Sequence, residues 1–216
     1  MGFPGTWMTE SESTVYRVVP KCACSSIGQI LFYSDHGRFF DGDIHDSTSG
    51  LHKWAQEESQ PLIEANARGH KSYAFTCVRN PYTRIRDTIR FRRPMDPDIH
   101  WSAMSGHVGT FIANGGRYDH VVFTEKFNEG MQVVLDHIET PVKVDLAEVP
   151  RFNESEGHGP KRLHPVEDYF DDLSMHLVWE IYHRDFKLFQ YDFENPGNKM
   201  PKGEVDLDEV HAKLGD

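Results

Sequence analysis

The segment Pro20–Ser26, which reads Pro-Lys-Cys-Ala-Cys-Ser-Ser, decides how the first half of this 216-residue chain folds. It follows the apolar, β-prone run Val15–Val19 and opens a stretch whose apolar residues have helical spacing. A strand that turns through small residues into a helix points several backbone N–H groups at one spot, where the helix N terminus adds partial positive charge. Lys21 adds a full charge, and Ser25 and Ser26 add hydroxyl donors. The segment therefore predicts a phosphate-binding loop.

A second segment of the same form, Arg79–Arg84, reads Arg-Asn-Pro-Tyr-Thr-Arg and follows the apolar run Tyr73–Val78. Arg79 and Arg84 offer guanidinium groups to a second phosphate or sulfate. Because ligands of such sheets bind beyond the carboxyl ends of the strands, the two loops predict one ligand with two separated phosphates. Arg84 falls one turn into the predicted helix, so it could pair with a carboxylate instead.

Strands alternate with helices along the chain, which predicts an α/β fold with a parallel β-sheet flanked by helices on both faces. The predicted strands cover Thr14–Val19, Ser72–Val78 and Asp119–Phe123, with possible short strands at Arg38–Phe40 and Val142–Val144. The predicted helices cover Ser25–Ser34, Leu51–Ala67, Tyr82–Arg92, Ser102–Ala113, Glu125–His137 and Pro165–Phe189. We predict a flexible N-terminal lead (1–13), one domain (14–193) and a polar tail with one weak helix (194–216).

The composition, with 26% charged and 38% hydrophobic residues, is typical of a soluble globular protein. The formal net charge of −11 argues against nucleic acid as a partner, and mildly against a heavily sulfated polysaccharide. No stretch approaches the ~20 apolar residues that span a bilayer, so we expect no membrane partner. Met1–Ser13 lacks the features of a signal peptide, and we expect a cytoplasmic protein with reduced thiols. The oligomeric state does not follow from the sequence.

Three cysteines cannot form a disulfide framework. Cys22 and Cys24 lie in the first loop, and Cys77 lies on the strand that leads to the second. Cys-x-Cys could be half of a metal site, but the chain has no second pair of cysteines. We therefore expect no metal, and interpret the three as small residues buried where the two loops approach each other.

The two loops together resemble the sulfotransferase family, in particular its family-2 members, which include Golgi carbohydrate sulfotransferases. Pro20–Ser26 is similar to their 5′-phosphosulfate loop, and Arg79–Arg84 to their 3′-phosphate motif. The resemblance continues in the family's order to about residue 193, at Asp98–Trp101, Asp119–Glu125, Arg151–Ser155 and Tyr182–Tyr191. It implies the P-loop-like sulfotransferase fold.

The resemblance also implies the reaction: transfer of the sulfuryl group of 3′-phosphoadenosine 5′-phosphosulfate (PAPS) to a hydroxyl or amine, without a metal. The product is adenosine 3′,5′-bisphosphate, and the expected acceptor is a small molecule or glycan, with a carbohydrate favoured. Lys21 would stabilise the leaving phosphate, and Arg79 would hold the 3′-phosphate. The donor contacts that it implies are Lys21, Cys22, Ala23, Cys24, Ser25, Ser26, Arg79, Arg84, Asp87, Asn153 and Ser155.

On the acceptor side, the resemblance implies a general base in the region that follows the loop lysine. His45, in a polar loop, is our first candidate, and His52, at the start of a predicted helix, is the second. Asp43 and Glu57 fall in the same region. His100 and Trp101 would line the acceptor pocket, although core packing explains a tryptophan equally well.

Asp87 departs from the family pattern, because it stands eight residues after Arg79, where relatives have a serine that contacts the 3′-phosphate. A carboxylate at ~4 Å from a phosphate charge would be repelled by about 4 kcal/mol at an effective dielectric near 20. We therefore expect Asp87 to turn toward a nearby arginine, namely Arg84, Arg86 or Arg90. Alternatively, a displaced helix would let Thr83 or Thr88 take the serine's role. A second departure, Ser102-Ala103-Met104 where relatives have Pro-Gln, concerns the acceptor.

Two other functions compete with this prediction. A P-loop kinase-like enzyme is disfavoured because Gly-x-x-x-x-Gly-Lys-Ser/Thr is absent around Lys21. A non-catalytic or weakened nucleotide-binding protein of the same fold has Asp87 as its support.

Overall fold

The computed structural model describes residues 5–42, 69, 71–91, 101–150 and 164–215. Its strands are β1 (Thr6–Met8), β2 (Thr14–Arg17), β3 (Tyr73–Val78) and β4 (His120–Phe123). Its α-helices are α1 (Cys24–His36), α2 (Pro81–Phe91), α3 (Met104–Ala113), α4 (Phe127–His137), α5 (Asp172–Leu188) and α6 (Leu207–Leu214). Two 3₁₀ turns cover Thr124–Lys126 and Val166–Tyr169. The predicted helix at Leu51–Ala67 lies outside the described residues.

The described strands form one sheet in the order β1-β2-β3-β4. Strands β2, β3 and β4 are parallel, and Tyr16 of β2 pairs with Phe75 of β3, which in turn pairs with His120 of β4. Strand β1 runs antiparallel to β2, with Trp7 opposite Tyr16. The α/β prediction is confirmed, but the sheet is mixed, because the chain before β2 folds back along it.

Helices cover both faces of the sheet. Trp7 packs edge-on against Tyr16, with 5.8 Å between the ring centroids. The Trp7 ring also lies against Gly28 of α1, so closely that a Cβ on Gly28 would lie 2.3 Å from a ring carbon of Trp7. Arg17, the next residue after Tyr16, points to the opposite face because side chains alternate along a strand. There its Nε donates to the backbone carbonyl of His107 in α3, at 3.0 Å. Helix α1 therefore packs on one face and α3 on the other.

Part of the predicted flexible lead is structured. Thr6, Trp7 and Met8 are buried and paired with β2, so the prediction of a flexible segment over residues 1–13 is wrong for β1. The physical reason is Trp7, whose indole ring fills the space between the sheet and α1. In the polar tail, α6 is the expected weak helix, and it buries Val210. The domain boundaries stay a prediction.

Neither of the possible short strands forms. The backbone of Phe40 hydrogen-bonds to the side-chain amide of Gln29, with its N–H donating at 2.8 Å and its carbonyl accepting at 3.0 Å. The N–H of Val142 donates to the carbonyl of Ser34 at 3.0 Å, near the C-terminal end of α1. In both segments, these backbone groups therefore form hydrogen bonds with residues of α1 and not with a strand of the sheet.

Candidate anion-binding site

The loop between β2 and α1 has an unusual backbone. Lys21 and Ala23, on either side of Cys22, have φ angles of 66° and 56°, a left-handed conformation that costs non-glycine residues about 1–3 kcal/mol each. Alternating left- and right-handed residues turn successive N–H groups toward one side and form an anion-binding concavity. Helix α1 starts immediately afterwards, with Ala23 as its N-cap and no acidic residue in its first turn. Backbone geometry and the helix dipole thus favour an anion at this loop.

Arg84 supports this loop from inside the protein. Its side chain is almost fully buried, and its Nε donates to the carbonyl of Pro20 at 3.0 Å. Its Nη1 donates to the carbonyl of Ser102 at 2.8 Å, while Nη2 is buried without a hydrogen-bond partner among the described residues. Arg84 therefore joins the loop to the segment before α3, and a direct phosphate contact from it stays a prediction.

Asn80 and Pro81 set the start of α2, next to Arg79. The side-chain oxygen of Asn80 accepts the N–H groups of Tyr82 at 3.0 Å and Thr83 at 3.2 Å, which is an N-cap. Pro81 occupies the first helical position, where a missing N–H costs nothing. The sequence Arg-Asn-Pro thereby places Arg79 directly before a capped helix N terminus, at the carboxyl end of β3.

Glu125, in the 3₁₀ turn that follows β4, stabilises the same turn. Its Oε1 accepts the N–H of Asn80 at 2.9 Å, and its Oε2 accepts the hydroxyl of Tyr191 at 2.8 Å. Burial and the neighbouring Glu125 carboxylate raise the pKa of Tyr191 well above its usual value, so the phenol stays a donor. Glu125 and Tyr191 lie in segments that resemble the family, but the sequence did not assign them a role.

Arg79 is oriented by three contacts, one through each guanidinium nitrogen. Its Nε donates to the hydroxyl of Thr83 at 3.1 Å, and its Nη1 to the carbonyl of Lys21 at 3.4 Å. Its Nη2 donates to Oδ2 of Asp87 at 2.5 Å. The structure thus brings the two predicted loops together, with the Arg79 side chain 22% exposed between them.

Asp87 lies between two arginines. Its side chain is 4% exposed, and Oδ1 accepts from Arg86 at 3.0 and 2.9 Å while Oδ2 accepts from Arg79. The expectation that Asp87 turns toward an arginine is confirmed for Arg86. It is wrong for Arg84, which donates to the backbone carbonyls of Pro20 and Ser102, and the side chain of Arg90 lies outside the described residues. The sequence did not predict the pair with Arg79.

The two threonines considered as substitutes for the family's serine differ in position. Thr83 is buried, accepts from Arg79, and donates to the carbonyl of Asn80 at 2.9 Å. Thr88 is fully buried and donates to the carbonyl of Arg84 at 2.8 Å, within its own helix. Only Thr83 therefore lies beside the predicted 3′-phosphate arginine.

Asp185 places the N terminus of α3 against both loops. Its two carboxylate oxygens accept the N–H groups of Met104 and Ser105, each at 2.8 Å, and its side chain is fully buried. Burial raises the pKa of Asp185, and the hydrogen bonds from Ser105 and Met104 oppose that rise. The sulfur of Met104 then lies 3.4 Å from the N–H of Arg79 and 3.6 Å from the sulfur of Cys22. Sequence reasoning missed Asp185, although it falls in the Tyr182–Tyr191 segment.

The three cysteines are free thiols. Cys22 and Cys77 are buried where the loops meet, as interpreted from the sequence, and burial raises the pKa of Cys22 to about 12. Cys24, at the start of α1, is partly exposed. Among the described residues, no cluster of His, Cys, Asp and Glu has the arrangement of a metal site.

Trp101, a predicted acceptor residue, is half-buried against the core, and its carbonyl accepts from the hydroxyl of Tyr182. Core packing therefore accounts for much of its surface. Beside it, the hydroxyl of Ser102 lies 2.9 Å from Nε2 of His107. The other predicted residues of the acceptor side and the late donor segment lie outside the described residues and stay predictions: Asp43, His45, His52, Glu57, His100, Asn153 and Ser155.

Comparison with known proteins identifies one family. A family model described as the sulfotransferase family matches residues 4–85 and 86–192. Searches of curated proteins and of solved structures gave no significant match. Within the described ranges, no helix is both long enough and apolar enough to cross a membrane.

Proposed function

Because the chain belongs to the sulfotransferase family, we propose that it transfers the sulfuryl group of PAPS to a hydroxyl or amine acceptor, with a carbohydrate as the favoured acceptor class. The observation that carries the proposal is the contact between the two loops, in which Arg79 Nη1 donates to the carbonyl of Lys21. It joins the loops that carry Lys21 and Arg79 beyond the carboxyl ends of two neighbouring parallel strands, which is where ligands of such sheets bind.

In the proposed reaction, the acceptor oxygen or nitrogen forms a bond to sulfur while the bond from sulfur to the bridging phosphate oxygen breaks. The electron pair of that bond stays on the 5′-phosphate, whose charge Lys21 and the backbone N–H groups at the N terminus of α1 stabilise. The acceptor proton goes to a general base. As in phosphoryl transfer, positioning and electrostatics provide most of the catalysis.

Arg79 holds the 3′-phosphate in this proposal and thereby orients the donor. A guanidinium has five N–H donors, and the contacts with Thr83, Lys21 and Asp87 engage three of them. The side chain is fixed before the donor arrives, so less conformational entropy is lost on binding.

His45 is the proposed base. Removing a general base reduces turnover by about 10²- to 10⁴-fold without removing the donor site. We expect His45→Ala to bind adenosine 3′,5′-bisphosphate like the wild type and to lose turnover by that factor. If His52→Ala has this profile and His45→Ala does not, the base is His52. The three free thiols support a reducing, cytoplasmic location for this reaction.

Calorimetric titration tests the donor. Adenosine 3′,5′-bisphosphate should bind in the presence of a chelator, and more tightly than ATP with magnesium. Tighter binding of ATP, or binding of the bisphosphate only with magnesium, would contradict the proposal and favour a kinase-like enzyme.

A second function, a nucleotide-binding protein with weak or no turnover, is favoured by one observation. Asp87 already pairs with Arg79 and so competes with a phosphate for that side chain. An assay with PAPS and a panel of sugars, phenols and small alcohols separates the two functions. Binding of the bisphosphate without turnover on any acceptor would favour this second function.

A further inference from the structure

Helix α5 carries a stripe of exposed apolar side chains on the side that faces away from the core. Leu173, Leu177 and Ile181 are 68%, 54% and 60% exposed. Their spacing of four residues places them in one ridge along the helix. The opposite side of α5 buries Val178, Tyr182 and Phe186 among other residues, so the stripe is not a poorly packed core face.

The stripe is not explained by a general scatter of apolar surface. The described ranges contain six large hydrophobic residues that are exposed, and three of them form this ridge. Isolated exposed apolar side chains are common, whereas a contiguous group marks an interaction surface.

The two ends of the stripe carry opposite charges. Before and at the start of α5, four exposed acidic residues stand close in sequence: Glu167, Asp168, Asp171 and Asp172. Near the other end, Arg184 and Lys187 are exposed. Both ends therefore complement the opposite end of the same helix in another molecule.

We propose that this stripe is the interface of a symmetric dimer, in which the α5 helices of two copies of the chain pack antiparallel. A two-fold axis near Leu177 places Leu177 against its copy and Leu173 opposite Ile181. The acidic end of each helix then faces the basic end of its partner, and the helix dipoles are also antiparallel.

The charges at the two ends of the stripe favour an antiparallel second copy over a parallel pair or a lipid surface. A parallel pair would bring four carboxylates of one copy beside four of the other, which is repulsive. An anionic lipid surface would meet the same carboxylates at one end of the stripe. A second copy in antiparallel orientation places the acidic end of each helix opposite the two basic residues of the other.

Three apolar side chains cover less than the ~800 Å² per partner of a standard interface, so the dimer is weak. The net charge of −11 also opposes association at long range. We expect a reversible dimer with a dissociation constant in the micromolar range. The proposal does not depend on the reaction that the chain catalyses.

Sedimentation velocity over a concentration series tests the dimer. Leu177→Glu should weaken it by at least ~30-fold, the effect of a typical central interface residue, while leaving the far-UV circular dichroism unchanged because glutamate is a good helix former. Val133→Glu is the matched control, since Val133 is an exposed apolar residue on α4, away from the stripe, and is 37% exposed. A wild type that stays monomeric to millimolar concentration would overturn the proposal, as would a dimer that Val133→Glu weakens and Leu177→Glu does not.

Cysteine crosslinking tests the antiparallel geometry. Under mild oxidation, Leu177→Cys should form a disulfide-linked dimer, because this position meets its own copy. The wild type, which contains the three native cysteines, and Val133→Cys should not crosslink. If Leu177→Cys does not crosslink and Leu173→Cys does, the two-fold axis is not at Leu177 and the proposed geometry is wrong. Arg184→Glu should weaken the dimer, and Arg184→Glu with Asp168→Arg should restore it in part.

Discussion

The loop Pro20–Ser26 and the segment Arg79–Asp87 both bring basic side chains to the carboxyl end of the sheet, but they hold those side chains differently. The first is supported through its backbone, where Arg84 donates to the carbonyl of Pro20. The second is supported through charge, because the carboxylate of Asp87 pairs with Arg79 itself. An anion at the first loop meets backbone dipoles and Lys21, whereas an anion at the second must share its arginine.

This difference has an electrostatic consequence. Asp87 contacts both Arg79 and Arg86, and these two cations and one anion leave a net charge of +1. The cluster therefore still attracts a phosphate, but less strongly than two arginines would. Asp87 also fixes the orientation of Arg79. Because less conformational entropy is then lost on binding, this preorganisation offsets part of the weaker attraction.

The largest effect should come from breaking the support of the first loop. Arg84→Met removes a buried cation that donates to Pro20 and Ser102 and that lies near the buried carboxylate of Asp185. Breaking such a buried charge arrangement costs about 3–5 kcal/mol. We expect the free energy of unfolding, measured by urea denaturation, to fall by that amount.

Arg117→Met is the matched control for Arg84→Met. Arg117 pairs with Asp208 at 3.0 Å, but both side chains are exposed, and exposed pairs contribute about 0–1 kcal/mol. An Arg84→Met variant as stable as the control would show that the loop does not depend on this side chain.

The next effect tests the first loop as an anion site. Lys21→Ala should weaken binding of adenosine 3′,5′-bisphosphate by roughly 1.5–3 kcal/mol, the contribution of a charge-assisted hydrogen bond. Turnover should fall further, because charge on the leaving phosphate grows in the transition state. Calorimetry and a sulfate-transfer assay measure the two effects, with Lys143→Ala, an exposed lysine outside the loops, as the control. Unchanged affinity and turnover in Lys21→Ala would remove the first loop from the donor site.

The two regions also differ in how much of them the sequence predicts. Around Pro20–Ser26, the local sequence pattern predicts a strand, a turn of small residues and the start of a helix. The structure has the strand and the helix at the expected positions. The capping role of Asn80 and the first-turn Pro81 are local in the same sense. The supports are not local: Glu125 acts on Asn80 across 45 residues, and Asp185 acts on Met104 across 81. No periodicity encodes which distant carboxylate reaches which N–H group, so these contacts required the structure.

Strand β1 and Asp87 are two further places where contacts between distant parts of the structure were not predicted from the local sequence. Residues 6–8 are too few to show a strand period, and only the tertiary fit of Trp7 against Gly28 makes them a strand. For Asp87, an energy argument predicted that the carboxylate turns toward an arginine, and it does so toward Arg86. It named the neighbouring arginines on the helix and overlooked Arg79, which lies before the helix and folds back onto it.

We expect the smallest effect from substituting Asp87, whose carboxylate both adds negative charge near the proposed phosphate and orients Arg79. Asp87→Ser removes a negative charge near the proposed phosphate, which strengthens donor binding, and releases Arg79 from its fixed orientation, which weakens it. Because Asp87 is buried and both of its oxygens are engaged by arginines, its charge is largely neutralised before a ligand arrives. We therefore expect the affinity for adenosine 3′,5′-bisphosphate, measured by calorimetry, to change by less than tenfold, that is, by less than about 1.4 kcal/mol. Asp87→Asn, which keeps the shape and removes the charge, is the control that isolates electrostatics from hydrogen-bond geometry. A gain of a hundredfold or more in both variants would mean that the carboxylate repels the phosphate directly, and that the native chain has a weakened donor site.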